Sequence, residues 1–195
     1  MPPTATICII IRKKSDGCTD GSLSFNDVKV AETFKVNGFS IDLARIISGG
    51  QTGIDRAALD AAIELGIPHG GWCPRGRLAE DGRIPTKYRL KETLSPDYAV
   101  RTRLNVRDAD GTLILYREPL EGGTALTWQF AIELEKPVLL VELGFPPVVE
   151  AFHLWLRENS IHTLNIAGPR ESQRPGISRE AKPLIVAWCR SLKIA

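Results

Sequence analysis

Three histidines, one methionine and four cysteines are all that this 195-residue chain holds of the soft or imidazole side chains that most often ligate transition metals. Cys8, Cys18, Cys73 and Cys189 form no C-x-x-C pair, and no histidine stands near them in a zinc spacing. At that density a secreted disulfide framework is excluded, so a reduced, cytoplasmic chain is expected. His69, His153 and His162 lie far apart, and no metal site built from protein ligands is expected. No apolar run reaches the length of a bilayer span, so no membrane role is expected. "ATICIIIRKK" runs apolar then basic, the reverse of a signal peptide's order. Lys and Arg number 25 against 23 Asp and Glu, so the net charge of +2 gives no field that would gather nucleic acid.

What is present is globular: 43% hydrophobic and 25% charged residues, enough for one domain with a sizeable core. Residues 1–43 lack sustained periodicity and read as an extension with at most one extra strand. From residue 44 to 195, short apolar runs alternate with helical patterns. Asp55–Leu65, Tyr98–Arg107, Thr124–Glu135, Pro147–Asn159 and Ile177–Leu192 read as helices. Ile46–Ile47, His69–Cys73, Gly111–Tyr116, Pro137–Leu143 and Thr163–Ala167 read as strands, and their continuous apolar character suits strands covered on both faces. The expected fold class is α/β: a Rossmann-like, doubly wound, mostly parallel sheet of about five or more strands with helices on both faces.

In such a sheet, ligands bind beyond the carboxyl ends of the strands. Three strand-to-helix loops there are rich in glycine: "SGGQTGID" (Ser48–Asp55), "EPLEGGT" (Glu118–Thr124) and "AGPRES" (Ala167–Ser172). Glycine lets a ligand approach backbone N–H groups, and a following helix points its N-terminal N–H groups at the same place. Ser48, Thr52 and Thr124 add hydroxyls, and Arg170 adds a planar donor fork. The implied ligand is an anion, above all a phosphate ester. From Arg75 to Arg107 nine Lys and Arg stand against four Asp and Glu, a second hint of an anionic partner. "PRGRLAEDGRIPTKY" (Pro74–Tyr88) is a long loop from which Arg75, Arg77 and Arg83 could close over a ligand, and Glu80 and Asp81 could meet ligand N–H groups.

Several assignments are excluded by what these loops lack. No lysine follows the first glycines, so there is no triphosphatase P-loop, and no acid ends the second strand to hold a ribose. Asp55 either stabilises the first helical turn or faces the ligand, and Arg56 either pairs with an acid or contacts it. Trp72 is the tryptophan best placed to face a ligand, while Trp155 and Trp188 on late helices are candidates for an oligomer interface. Cys73 reads as a packed thiol before a reactive one.

Four blocks, "SGGQTGIDRAALDAAIELGIPHGGWCPRGRLAEDGRIPTKYRLKET", "RLNVRDADGTLILY", "EGGTALT" and "LNIAGPRES", together resemble the molybdenum carrier family, the molybdenum cofactor carrier proteins. These belong to a Rossmann-like superfamily that includes the cytokinin-activating phosphoribohydrolases and DNA-processing protein A. The resemblance spans about Arg45 to Leu192. It implies a homo-oligomer, dimer or tetramer, that carries molybdenum cofactor (a phosphorylated molybdopterin) without turnover, and that meets molybdoenzymes or cofactor-synthesis proteins. Molybdate or phosphate would fit the same anion site. Carried over, Gly49, Gly50, Gln51, Thr52 and Gly53 form one anion loop and Gly122, Gly123 and Thr124 the other. Ser48, Asp55, Arg56, Trp72, Arg75, Glu121, Gly168 and Arg170 complete the candidate ligand set, with no catalytic residue. The phosphoribohydrolase relatives carry G-G-x-G-T-x-x-E; here Thr127 stands at the Glu position, which argues against N-glycosidic cleavage. A nucleotide-sensing module using the same loops is the alternative.

Overall fold

The computed structural model describes residues 42–117, 119–190 and 192. The expected extra strand before residue 42, and Glu118 of the second loop, lie outside the described residues. In chain order the elements are β1 (Arg45–Ile47), α1 (Ile54–Leu65), β2 (His69–Gly70), β3 (Trp72–Cys73), a 3-10 turn (Arg75–Arg77), β4 (Leu78–Ala79), β5 (Gly82–Arg83), β6 (Lys91–Glu92) and α2 (Tyr98–Asp108). There follow β7 (Gly111–Tyr116), α3 (Gly122–Glu133), β8 (Val138–Glu142), α4 (Val149–Glu158), β9 (Thr163–Ala167) and α5 (Ile177–Cys189). The expected segment His69–Cys73 is split. Gly71, at φ 124°, breaks it, so that β2 joins the main sheet and β3 pairs with β6 instead.

The main sheet has five parallel strands in the order β2-β1-β9-β7-β8. The pleat of β7 shows why its run is apolar throughout. Leu113 and Leu115 join the core under α1, α4 and α5, while Ile114 joins the cluster under α2 and α3. Helix α1 buries Ile54, Ala57, Ala58, Leu59, Ala61 and Ala62 and stops at Gly66, which takes the left-handed conformation (φ 69°) open to a residue without Cβ. Trp155 and Trp188 are 2% and 3% exposed, and Phe152 stacks on Trp188 with centroids 4.8 Å apart. The two tryptophans therefore join α4 to α5 inside the core, which corrects their reading as interface residues: their helices present the rings inward. His153 adds to the same seam through the Trp188 carbonyl at 2.8 Å.

The last strand lies in the middle of the sheet. Numbered in chain order, the five strands run 2-1-5-3-4. With the final βα unit moved to the front they run 3-2-1-4-5, the order of a dinucleotide-binding fold. The chain is thus a circularly permuted Rossmann-like sheet. The topological switch point falls between β9 and β7, and a ligand crevice is expected where the loops after those two strands diverge.

Candidate functional site

The opening loop, Ser48–Gly53, is filled by its own chain. Ser48 is fully buried and its hydroxyl donates to the Ile166 carbonyl at 2.6 Å, so it is not a donor toward a ligand. A Cβ on Gly49 would overlap the Arg101 guanidinium, one on Gly50 would come within 2.5 Å of Leu90, and one on Gly53 would overlap the Pro169 carbonyl. Gly168 likewise makes room for Ile54 and the Leu115 carbonyl, which brings α1 tight against the sheet. These four glycines serve close packing where the sequence suggested room for a ligand. Asp55 is 4% exposed; its carboxylate accepts the Gln51 N–H at 3.3 Å and Arg101 Nη1 at 2.8 Å. Arg56 donates to Asp81 at 2.7 Å and to the Gly50 carbonyl at 3.2 Å. Both are therefore tied to protein partners.

Two buried donors in this layer stay without a partner among the described residues. The Gln51 side-chain oxygen accepts the N–H groups of Thr52 and Glu80, both at 3.0 Å, which leaves its Nε2 unpaired, and Arg101 Nε is also unpaired. A buried donor without an acceptor is unfavourable by about 1–3 kcal/mol.

The second glycine loop is open. A Cβ on Gly123 would meet nothing within 4 Å, and one on Gly122 only Gln173 Nε2 at 3.4 Å. The helix that starts there, α3, has no side-chain cap, and Glu121 contributes only its carbonyl, which accepts the Thr124 N–H at 3.1 Å. Thr124 is buried, and Thr127 donates its hydroxyl to the Gly123 carbonyl at 2.7 Å. Across the crevice Gln173 accepts the Arg170 N–H at 3.5 Å. Tyr98, 37% exposed, has the guanidinium groups of Arg170 and Arg101 each 6.0 Å from its ring centroid. The uncapped helix start beside Gln173 suits an anion, and Arg170, whose N–H lies on Gln173, links that start to the Tyr98 ring. Tyr98, Arg101 and Gln173 escaped the sequence reading; the basic excess between Arg75 and Arg107 was the signal that included Arg101.

The long loop is anchored from inside. Arg77, 8% exposed and at φ 55°, donates to the carbonyls of Ile84, Pro85, Tyr88 and Leu90 at 3.0–3.2 Å. This corrects its reading as a lid residue: its fork holds the loop's own backbone. Arg75 is exposed, and its backbone N–H bonds the Ser95 carbonyl at 3.1 Å. Trp72 donates its indole N–H to Asp108 at 2.7 Å, at the C-terminal end of α2, whereas Tyr98 and the crevice lie at the N-terminal end. Cys73 is fully buried, and burial pushes its thiol above the ordinary range. Among the described residues no group of three or more His, Cys, Asp or Glu could hold a metal ion, and no helix is long and apolar enough to cross a membrane.

The fold defines a circularly permuted Rossmann-like protein whose switch point lies between β9 and β7. The chain belongs to the circularly permutated YpsA SLOG family, which matches residues 46–189. It is also similar to the crystal structure of a protein from Syntrophus aciditrophicus SB named "Putative molybdenum carrier protein". The two share 46% identity at a TM-score of 0.73, over 77% of this chain and 97% of that one. No curated protein matches the chain.

Proposed function

We propose that this chain is a cytoplasmic, homo-oligomeric carrier that binds molybdenum cofactor, a phosphorylated pterin, in the crevice between the loops after β7 and β9, without turning it over. The observation that carries the reading is the Gly122–Gly123 pair, open at the uncapped start of α3 and facing Gln173, which accepts the Arg170 N–H. A phosphate there meets backbone N–H groups and a helix dipole, and Tyr98 offers a face for the pterin. The molybdenum-related name of the 46% identical relative supports the choice of cargo. Thr127, with its hydroxyl on the Gly123 carbonyl, supports binding without hydrolysis, because no titratable group stands at the position where the phosphoribohydrolases carry Glu.

The test is isothermal titration with molybdenum cofactor under anaerobic conditions, comparing the natural chain with Gly123→Asp. That position has free space, so the variant should melt as the natural chain does while its affinity falls at least tenfold through charge repulsion at the helix start. Equal affinities would overturn the site. Release of free base from a purine monophosphate would overturn the carrier reading in favour of a hydrolase.

A further inference from the structure

Glu80 sits in a set of donors, drawn from two strand-end loops, whose chemistry also suits a free anion. Its carboxylate accepts the hydroxyls of Thr52 and Ser172 and the Ser172 N–H (3.1 Å), with Arg170 Nε at 3.8 Å. Thr52 lies on the loop after β1 and Ser172 on the loop after β9, so two strand ends converge on a residue from the long loop. Mixed hydroxyl, backbone N–H and guanidinium donors are the usual recognition set for a tetrahedral oxyanion. In the permuted order the loop after β9 is the first βα turn, the place where this fold class holds phosphate. Beside the carboxylate a cleft of about 780 Å³ opens between α1 and α5, so an anion has a route in. Arg77 holds the body of the long loop through four carbonyls, and a change in the Glu80 rotamer leaves those bonds intact.

We propose that Thr52 Oγ1, the Ser172 N–H and hydroxyl, and Arg170 form a binding site for a tetrahedral oxyanion, with the Glu80 carboxylate as its built-in occupant. The entering anion displaces Glu80 and takes over its hydrogen bonds. Glu80 therefore sets the threshold concentration at which the site fills. This site adjoins the Gly122–Gly123 crevice through Arg170 but is built on Thr52 and Ser172, and it does not depend on the cargo being molybdenum cofactor.

The test titrates the full chain with inorganic phosphate and, separately, with molybdate. Glu80→Ala should bind at least one of them ten or more times tighter than the natural chain, and the stronger arm names the anion. Adding Thr52→Val and Ser172→Ala should abolish the gain, whereas Gly123→Asp should leave it unchanged. If Glu80→Ala does not fold, Glu80→Gln removes the charge at nearly the same size and should show the same direction. A folded variant with unchanged affinity for both anions would overturn the proposal, as would a gain that survives Thr52→Val with Ser172→Ala.

Discussion

Asp55 and Arg101 show how a loop's glycines depend on residues far away in sequence. The Arg101 guanidinium fits only because Gly49 has no side chain, and it neutralises a carboxylate that is 4% exposed. Removing one partner of a buried pair leaves an uncompensated charge, at about 3–5 kcal/mol. Arg101→Ala should therefore lower stability to urea by that amount. Arg101→Ala combined with Asp55→Ala should lose less than the sum of the two single changes, as a double-mutant cycle would read. Equal, additive losses would mean that the pair does not act as a unit. This residue-scale arrangement was hardly legible in the sequence. "SGGQTGID" announces a tight turn before a helix, but which atoms enter the space above each glycine is set by Arg101 and Leu90, about 40 to 50 residues downstream, and by Pro169, far later in the chain. A glycine that admits a guanidinium and one that admits a phosphate look the same in a sequence. The open pair at Gly122–Gly123 differs only in what its neighbours leave empty.

At the scale of elements, the apolar strands and the helices were legible to within a residue or two, save the end of α5, which stops at Cys189 where Leu192 was expected, because burial on both faces leaves a continuous apolar run and helices leave a periodic one. Thr163–Ala167 and Gly111–Tyr116 have the expected bounds. The segment from Trp72 to Glu92 was not legible, since β3, β4, β5 and β6 are two-residue strands without a pattern of their own. Their partners are set by Arg77 and by the packing of Ile84 and Tyr88. The start of α5 gives a pH prediction. Glu171 accepts the N–H groups of Gly176 and, at 3.2 Å, Ser178. Burial opposes its charge, but those bonds outweigh burial and hold its carboxyl below the ordinary glutamate range. A carboxyl lowered in the folded state stabilises above its ordinary value of about 4.3, and that contribution is lost as the pH falls through the folded value. The urea midpoint should fall between about pH 5 and pH 3, and Glu171→Gln should flatten that fall while lowering the midpoint at pH 7. An unchanged slope in the variant would assign the acid sensitivity to other carboxylates.

For the whole molecule, the position of β9 between β1 and β7 was beyond reach of the sequence, because strand order is decided by pairings between residues about 50 to 120 positions apart. The alternation of strands and helices predicts a parallel sheet, but the same alternation fits both the direct and the permuted order. The order has a consequence for the chain as a polymer. A full-length chain with its two ends joined by a linker and opened before Ser160 restores the order 3-2-1-4-5. It should fold, with the natural far-UV circular dichroism spectrum and a cooperative melt. Failure to fold would mean that the β8–β9 connection is needed for assembly.

The permuted order also places the crevice, since it moves the switch point to the loops that carry Arg170, Gln173, Gly122 and Gly123. The central claim is that an anionic molybdenum cofactor occupies that crevice. The most direct measurement is a mass spectrum of the small molecule that co-purifies with the chain from a host that makes the cofactor, with molybdenum determined on the same sample. The account predicts a phosphorylated pterin and molybdenum in near-stoichiometric amounts, both lost in Gly123→Asp. A nucleotide without molybdenum, or a ligand retained undiminished by Gly123→Asp, would contradict it.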